Sequence, residues 1–136
     1  MRRGLLLIFS FIPLAVLASI AVPNVLTAMQ RSRQKSTMAD MRTLATAIEE
    51  YWTDHPDWRP ANSAGSPARL APLLKKIPVN DGWGRPFGVF IGGTDYTIWS
   101  LGRDGKRDPK WNGPTTNFDN DLVYQNGTFR QYPEGV

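Results

Sequence analysis

The sequence predicts an α+β fold in which a long N-terminal helix, apolar at first and amphipathic later, packs on a small antiparallel β-sheet. Three observations carry this reading: an uncharged run from Leu5 to Val22, an apolar stripe spaced by three and four from Val25 to Trp52, and short β-branched and aromatic runs between turn signals after Pro86. Helix first and strands afterwards is the order of α+β proteins. With 136 residues there is room for one ordinary domain beyond an anchor. We therefore divide the chain into an anchor over 1–23 and a head over 24–136 that includes the amphipathic half of the helix.

Leu5 to Val22 would make about 27 Å of helix, enough to cross a hydrocarbon core. Arg2 and Arg3 precede it and no acidic residue occurs before Asp40, which favours a cytoplasmic N-terminus, although Arg31, Arg33 and Lys35 on the far flank compete. A cleaved secretory signal is the alternative, with Arg2-Arg3 as its basic region and Ser19-Ile20-Ala21 as a small-x-small site. The length of the run and the continuity of the helical pattern favour retention; either route exports the head. Pro13 and Pro23 each remove a backbone donor, which predicts kinks or partial unwinding.

Beyond the run, Val25, Leu26, Met29, Met38, Met41, Leu44, Ala45, Ile48, Tyr51 and Trp52 draw one stripe, with Arg31, Arg33, Lys35, Asp40, Arg42, Glu49 and Glu50 largely on the other faces. After Met38 the stripe reads as core contact. Before it, near the bilayer, it reads as a surface for sister chains. The helix should end near His55-Pro56, with His55 capping carbonyls. Asp57 to Pro72, rich in Pro, Ala, Ser, Asn and Gly, reads as an irregular loop. Arg69 to Ile77 could make a short helix stopped by Pro78, with Leu70, Leu73 and Leu74 on one face. In Asp81-Gly82-Trp83-Gly84-Arg85-Pro86 two glycines, Gly82 and Gly84, bracket Trp83, which predicts a turn locked to the core by a buried indole.

Strands are predicted over Phe87–Ile91, Tyr96–Leu101, Leu122–Gln125 and Thr128–Tyr132. Asn126-Gly127 tolerates the positive φ angles of a type I′ turn and makes 122–132 a hairpin; Gly92-Gly93 suits a turn between the first two strands. Asn126-Gly127-Thr128 also matches a glycosylation sequon, but the turn is the better physical reading.

Chemistry is confined to the long polar stretch Gly102 to Asn120. Asp104 and Asp108 sit near its start and Asp119 and Asp121 at its close, among Asn112, Asn117 and Asn120. Carboxylate and carbonyl oxygens from such a loop suit a hard cation such as Ca²⁺, which takes six to eight oxygens in flexible geometry. A solvated acidic loop explains the same composition, and the spacing is not that of an EF-hand. The chain has no cysteine, His55 is its single histidine, and it carries no nucleophile elbow or phosphate-binding glycine loop, so an enzyme is not expected. Its net charge of +4 comes from scattered residues, and the cluster Arg31 to Lys35 is explained by anionic headgroups, so no nucleic-acid partner is expected.

The order of several motifs carries a resemblance. Ile20-Ala21-Val22-Pro23-Asn24 stands at the membrane exit, Met38-Ala39-Asp40-Met41-Arg42-Thr43 on the stalk, and Ile77-Pro78 before Asp81-Gly82-Trp83-Gly84. Asp95-Tyr96-Thr97-Ile98, Ser100-Leu101-Gly102-Arg103-Asp104-Gly105 and Asn120-Asp121-Leu122 follow. From Ile20 onward the chain resembles the major pseudopilins of type II secretion systems, within the wider type IV pilin-like group. The resemblance implies a helix packed on an antiparallel sheet and an inner-membrane, single-pass protein with a periplasmic head. It also implies homo-oligomers, or assemblies with other pseudopilins and secretion-system components, that bundle their N-terminal helices into a short filament supporting export across the outer membrane. It further implies a Ca²⁺ ion on the loop before the final strands. The Leu101 carbonyl, Asp104 and Asp121 fall on ligand positions, Asn120 on a position often acidic, with Phe118 offering its carbonyl and Asp119 a substitute carboxylate. The family carries a glutamate near the start of its membrane helix. Here that position falls on Leu6, or on Phe9 if Gly4 is the cleavage glycine, so peptidase processing and ordinary filament assembly are not expected to follow the family pattern. Pro13, Pro23 and Asn24 complete the assembly segment. The alternative reading is an anchored or secreted calcium-stabilised binding module that does not polymerise.

Overall fold

A computed structural model describes residues 2–57, 63–70, 74 and 76–135, with side chains from Asn24 onward except at 63, 64 and 69. The helix α1 spans Arg2–Asp54 and ends where His55-Pro56 predicts. It is unbroken at Pro13 and Pro23, contrary to the unwinding those prolines predict. Each removes one ladder hydrogen bond, and the helix formers on both sides carry the backbone through. At its end the ring of His55 stacks on Tyr51 and its Nδ1 lies 3.2 Å from the Tyr51 carbonyl, the cap expected of it.

The chain divides into two compact units, 1–32 and 33–136. In the first, Asn24 is exposed, and Val25, Leu26 and Met29 are 55%, 56% and 46% exposed. Among the described residues no helix is long and apolar enough to cross a membrane. The apolar run 5–22, with Leu6, Phe9 and Pro13, and Pro23 just after it, lies outside the residues whose side chains are described.

In the second unit Met38, Met41, Leu44, Ala45 and Ile48, on one face of α1, are buried in a core with Leu70, Leu74, Phe87, Val89, Ile91, Tyr96, Ile98 and Leu122. The strands are β1 Ser63–Gly65, β2 Gly88–Gly92, β3 Asp95–Ser100, β4 Gly113–Thr115, β5 Leu122–Gln125 and β6 Thr128–Pro133. They form one sheet in the order β1-β2-β3-β5-β6-β4. The four central strands match the predicted runs to within a residue or so and pair antiparallel. Val89 and Ile91 of β2 alternate with outward Phe90, the period-two pattern of a half-buried sheet.

The sheet departs from the expected one at both edges. β1 pairs antiparallel with β2 inside the stretch read as an irregular loop. β4 pairs parallel with β6, so the sheet is mixed. Neither strand has apolar alternation: Ser-Ala-Gly and Gly-Pro-Thr have weak β preference of their own, and the neighbouring strand supplies their ladder. In place of the short helix over 69–77 there is a 3-10 turn, Pro67–Leu70, and residues 71–73 and 75 lie outside the described ones. Leu70 and Leu74 of the expected apolar face are buried, Leu73 lies outside the described residues, and Lys76 has a φ of 53°, so a helix does not continue to Ile77.

The hairpin turn is as the dipeptide predicts, with φ of 49° at Asn126 and 93° at Gly127. The Asn126 side chain also binds across to β3: its Oδ1 accepts from the Tyr96 N–H at 2.9 Å and its Nδ2 donates to Asp95 at 3.2 Å. The hydroxyl of Tyr96 donates to Glu49 on α1; burial, then this carboxylate, push the phenol well above its ordinary range.

The turn at 81–86 docks directly on α1. Gly82 N–H donates to Thr37 Oγ1 at 2.9 Å, and that hydroxyl donates to the Arg33 carbonyl at 2.6 Å. A Cβ on Gly82 would stand 2.5 Å from the Arg33 carbonyl oxygen and 2.9 Å from Thr37 Oγ1. Gly82→Ala is therefore expected to lower stability by about 2 kcal/mol, as overpacking of a close backbone contact does. Thermal unfolding of the full chain checks it, and a variant as stable as the parent would show that the turn can lift without loss. Trp83 is half-buried rather than buried: it packs against the core from a turn whose next residues, Gly84, Arg85 and Pro86, are all exposed. Gly84 is exposed with a φ of 80° and open space around it.

Candidate functional site

The polar loop between β3 and β5 is built on this turn. Asp81 is buried, and its Oδ1 accepts from the N–H groups of Trp83 and Arg85, both at 3.0 Å, while its Oδ2 accepts from Ser100 Oγ at 2.6 Å. Arg85 reaches from the turn into the loop, donating to the carbonyls of Gly102 at 3.1 Å and Arg103 at 3.0 Å. The loop therefore starts from a fixed backbone at the end of β3.

Its far end is fixed by Asp121, which is fully buried. Asp121 and Asp108 bond reciprocally: Asp108 N–H donates to Asp121 Oδ2 at 3.1 Å, and Asp121 N–H donates to Asp108 Oδ2 at 2.7 Å. Gln131 of β6 donates through Nε2 to Asp108 Oδ2 and to the Asp121 carbonyl, both at 2.7 Å, and accepts from Asn112 N–H at 3.1 Å. Asp121 Oδ1 is buried with no hydrogen-bond partner. Burial pushes this carboxyl up to about 6, against the hydrogen bond from the Asp108 N–H, which lowers it. A buried carboxylate oxygen without a donor is costly unless a proton or a cation meets it.

Between these ends, Gly102 adopts a φ of 72°, and a Cβ there would stand 2.5, 2.9 and 3.0 Å from the carbonyl oxygens of Asn120, Phe118 and Asp119. Three successive carbonyls thus converge beside Gly102, next to half-buried Leu101 in sequence. Arg103 N–H donates to the Phe118 carbonyl at 2.9 Å, and its guanidinium grips Asp119 with two bonds of 2.7 and 3.1 Å. That guanidinium holds the Asp119 carboxyl below its usual range. Asn120 Nδ2 donates to Thr115 Oγ1 at 2.5 Å, and exposed Asp104 accepts from Lys106 N–H at 2.9 Å. Beside the loop lies a cavity of about 280 Å³ lined by Asp108, Pro109, Lys110, Asn112, Asn120 and Gln131.

Of the six residues nominated from sequence, the fold gathers Leu101, Phe118, Asp119, Asn120 and Asp121 at the two loop ends and leaves Asp104 on the surface. Among the described residues no three His, Cys, Asp or Glu side chains cluster as a metal would need, so a cation here would rest on carbonyl and amide oxygens as much as on carboxylates. The sequence reading did not nominate Asp108, Arg103, Arg85 or Gln131. Asp108 was one of the loop's four acids and could have been found. Arg85 and Gln131 carry no signal, because their partners lie 17 and 23 residues away. Within the loop the Arg107 guanidinium stands 5.6 Å from the Trp99 ring of β3 and 5.9 Å from the Trp111 ring.

No family model matches the chain, and no solved structure matches it. Two curated relatives do. The chain is 28% identical over 109 residues to the type II secretion system core protein G of Pseudomonas aeruginosa, covering 68% of this chain and 75% of that protein. It is 30% identical over 99 residues to the type II secretion system core protein G of Pectobacterium carotovorum subsp. carotovorum, covering 70% of this chain and 63% of that protein. The helix-on-sheet head agrees with the fold the motifs imply, and the chain is similar to the type II secretion system core protein G of both bacteria.

Proposed function

We propose that the chain is a non-enzymatic structural subunit of a type II secretion pseudopilus-like assembly, supporting protein export across the outer membrane. In this reading residues 5–22 root it in the bacterial inner membrane as a single pass, with the N-terminus cytoplasmic and the head periplasmic. The similarity to core protein G of two bacteria carries the reading. The exposed Val25, Leu26 and Met29 support it, since side chains of this kind on a stalk suit packing against the stalks of other subunits. The chain has no native cysteine, so Leu26→Cys and Met29→Cys are single-site probes. Oxidative crosslinking in the native membrane is expected to give adducts with other copies or with companion pseudopilins; monomers alone would overturn the reading.

We further propose that the loop holds Ca²⁺ through the Leu101 and Phe118 carbonyls, Asp104, Asn120 and Asp121, with Asp119 in reserve. The buried, unpartnered Asp121 Oδ1 supports the fit, because an oxygen of that kind calls for positive charge. When bound, the ion would supply that charge and order a loop with little apolar content. Calcium chloride is expected to raise the thermal midpoint of the full chain over that in EGTA, by the equivalent of about 2.7 kcal/mol at a concentration roughly a hundredfold above Kd. Asp121→Asn, which keeps the shape and removes the charge, is expected to abolish the response. A parent chain indifferent to calcium would remove the claim.

A further inference from the structure

Arg103 engages the loop in three ways at once. Its guanidinium holds both oxygens of Asp119 at 2.7 and 3.1 Å, lies over the Phe118 ring at 5.7 Å, and its N–H takes the Phe118 carbonyl at 2.9 Å. Two of the nominated oxygen donors, one carboxylate and one carbonyl, are therefore occupied by a single residue of the chain. The buried Asp121 oxygen close by in sequence has no such partner. The ion pair is exposed, with side chains 45% and 35% accessible, so a divalent cation with stronger claims on oxygen can displace it.

We propose that Arg103 is an internal competitor for the loop's cation: its guanidinium withholds Asp119 from Ca²⁺ and so sets the affinity of the site. This rests on the calcium reading above. A fork-on-fork guanidinium–carboxylate pair takes one lone pair on each Asp119 oxygen and offsets its charge, so the carboxylate is a poorer ligand for the ion while the arginine holds it. With Asp119 withheld, the ion is left with Asp121, Asp104 and neutral oxygens. Without Arg103, Asp119 joins them. The site is thus tuned toward weaker, more readily exchanged binding, and its occupancy responds to calcium concentration over a higher range than the same loop without the arginine would.

The test is titration of the full chain in detergent with calcium chloride, read by isothermal calorimetry and by the calcium-dependent shift of the thermal midpoint. Arg103→Gln is expected to bind Ca²⁺ roughly threefold to tenfold more tightly than the parent, an effect of the size expected from freeing one exposed carboxylate. The gain must require Asp119, so Arg103→Gln combined with Asp119→Asn is expected to return to the parent's affinity, while Asp119→Asn alone changes it little. Unchanged affinity in Arg103→Gln, or a gain that survives Asp119→Asn, would overturn the proposal and leave the calcium reading standing. A parent with no response and an Arg103→Gln chain that gains one would support the competition and overturn calcium binding by the parent. If neither responds, both fall.

Discussion

Asp81→Ala is expected to destabilise the head by about 3 kcal/mol or more, the range for a buried acceptor that leaves several donors without a partner. Its carboxylate accepts from Trp83 N–H, Arg85 N–H and Ser100 Oγ, and Ala removes the acceptor from all three, the last of them buried. The damage should extend past the turn, because the backbone of Arg85 is what Asp81 fixes and the side chain of Arg85 is what holds the carbonyls of Gly102 and Arg103. Urea unfolding of the full chain gives the free energy, and near-ultraviolet circular dichroism reports whether Trp99 and Trp111 lose their fixed surroundings. Asp81→Asn keeps one acceptor oxygen and should fall between the parent and Asp81→Ala. A loss below about 1 kcal/mol would show that water replaces the carboxylate and that the turn is not the loop's foundation.

Gly102→Ala should be of similar severity for a different reason. Its φ of 72° costs a side chain about 1–2 kcal/mol by itself. The added methyl would also meet three backbone oxygens at 2.5–3.0 Å, and backbone cannot rotate aside as a side-chain tip can. Together these are expected to remove about 3 kcal/mol. Gly113 is the control: its φ is 87° and nothing stands within 4 Å of a Cβ there, so Gly113→Ala should show the conformational cost alone. Equal losses for the two variants would mean that the carbonyls of 118–120 yield freely, and the site they form would lose its claim to rigidity.

What the sequence made legible was whatever repeats with a local period. The stripe from Met38 to Ile48, the four central strands and the Asn126-Gly127 turn each declare themselves within a few residues of chain, and each is found where its pattern puts it. Gly-Pro-Thr at 113–115 has no such pattern; it is a strand because Gln131 to Pro133 lie alongside it. The loop follows the same division. Its acids are visible in the composition, but which of them bonds to which is settled by partners far along the chain: Asp81 by Ser100, Asp108 by Gln131, Asp119 by Arg103. Asp119 was a reasonable spare ligand by position alone, and only the fold reveals that an arginine holds it.

The parallel seam between β4 and β6 constrains how the head can be made. Residues 113–115 leave the ribosome well before 131–133, so the segment ahead of β5 waits without a ladder until its companion has been synthesised. Throughout that interval Asp108 also lacks Gln131, and Asn112 lacks the same amide. A stop codon before residue 128 would therefore remove more than a strand: it would release a stretch encoded well upstream, leaving the sheet open on β5 and its backbone available to whatever chain came next.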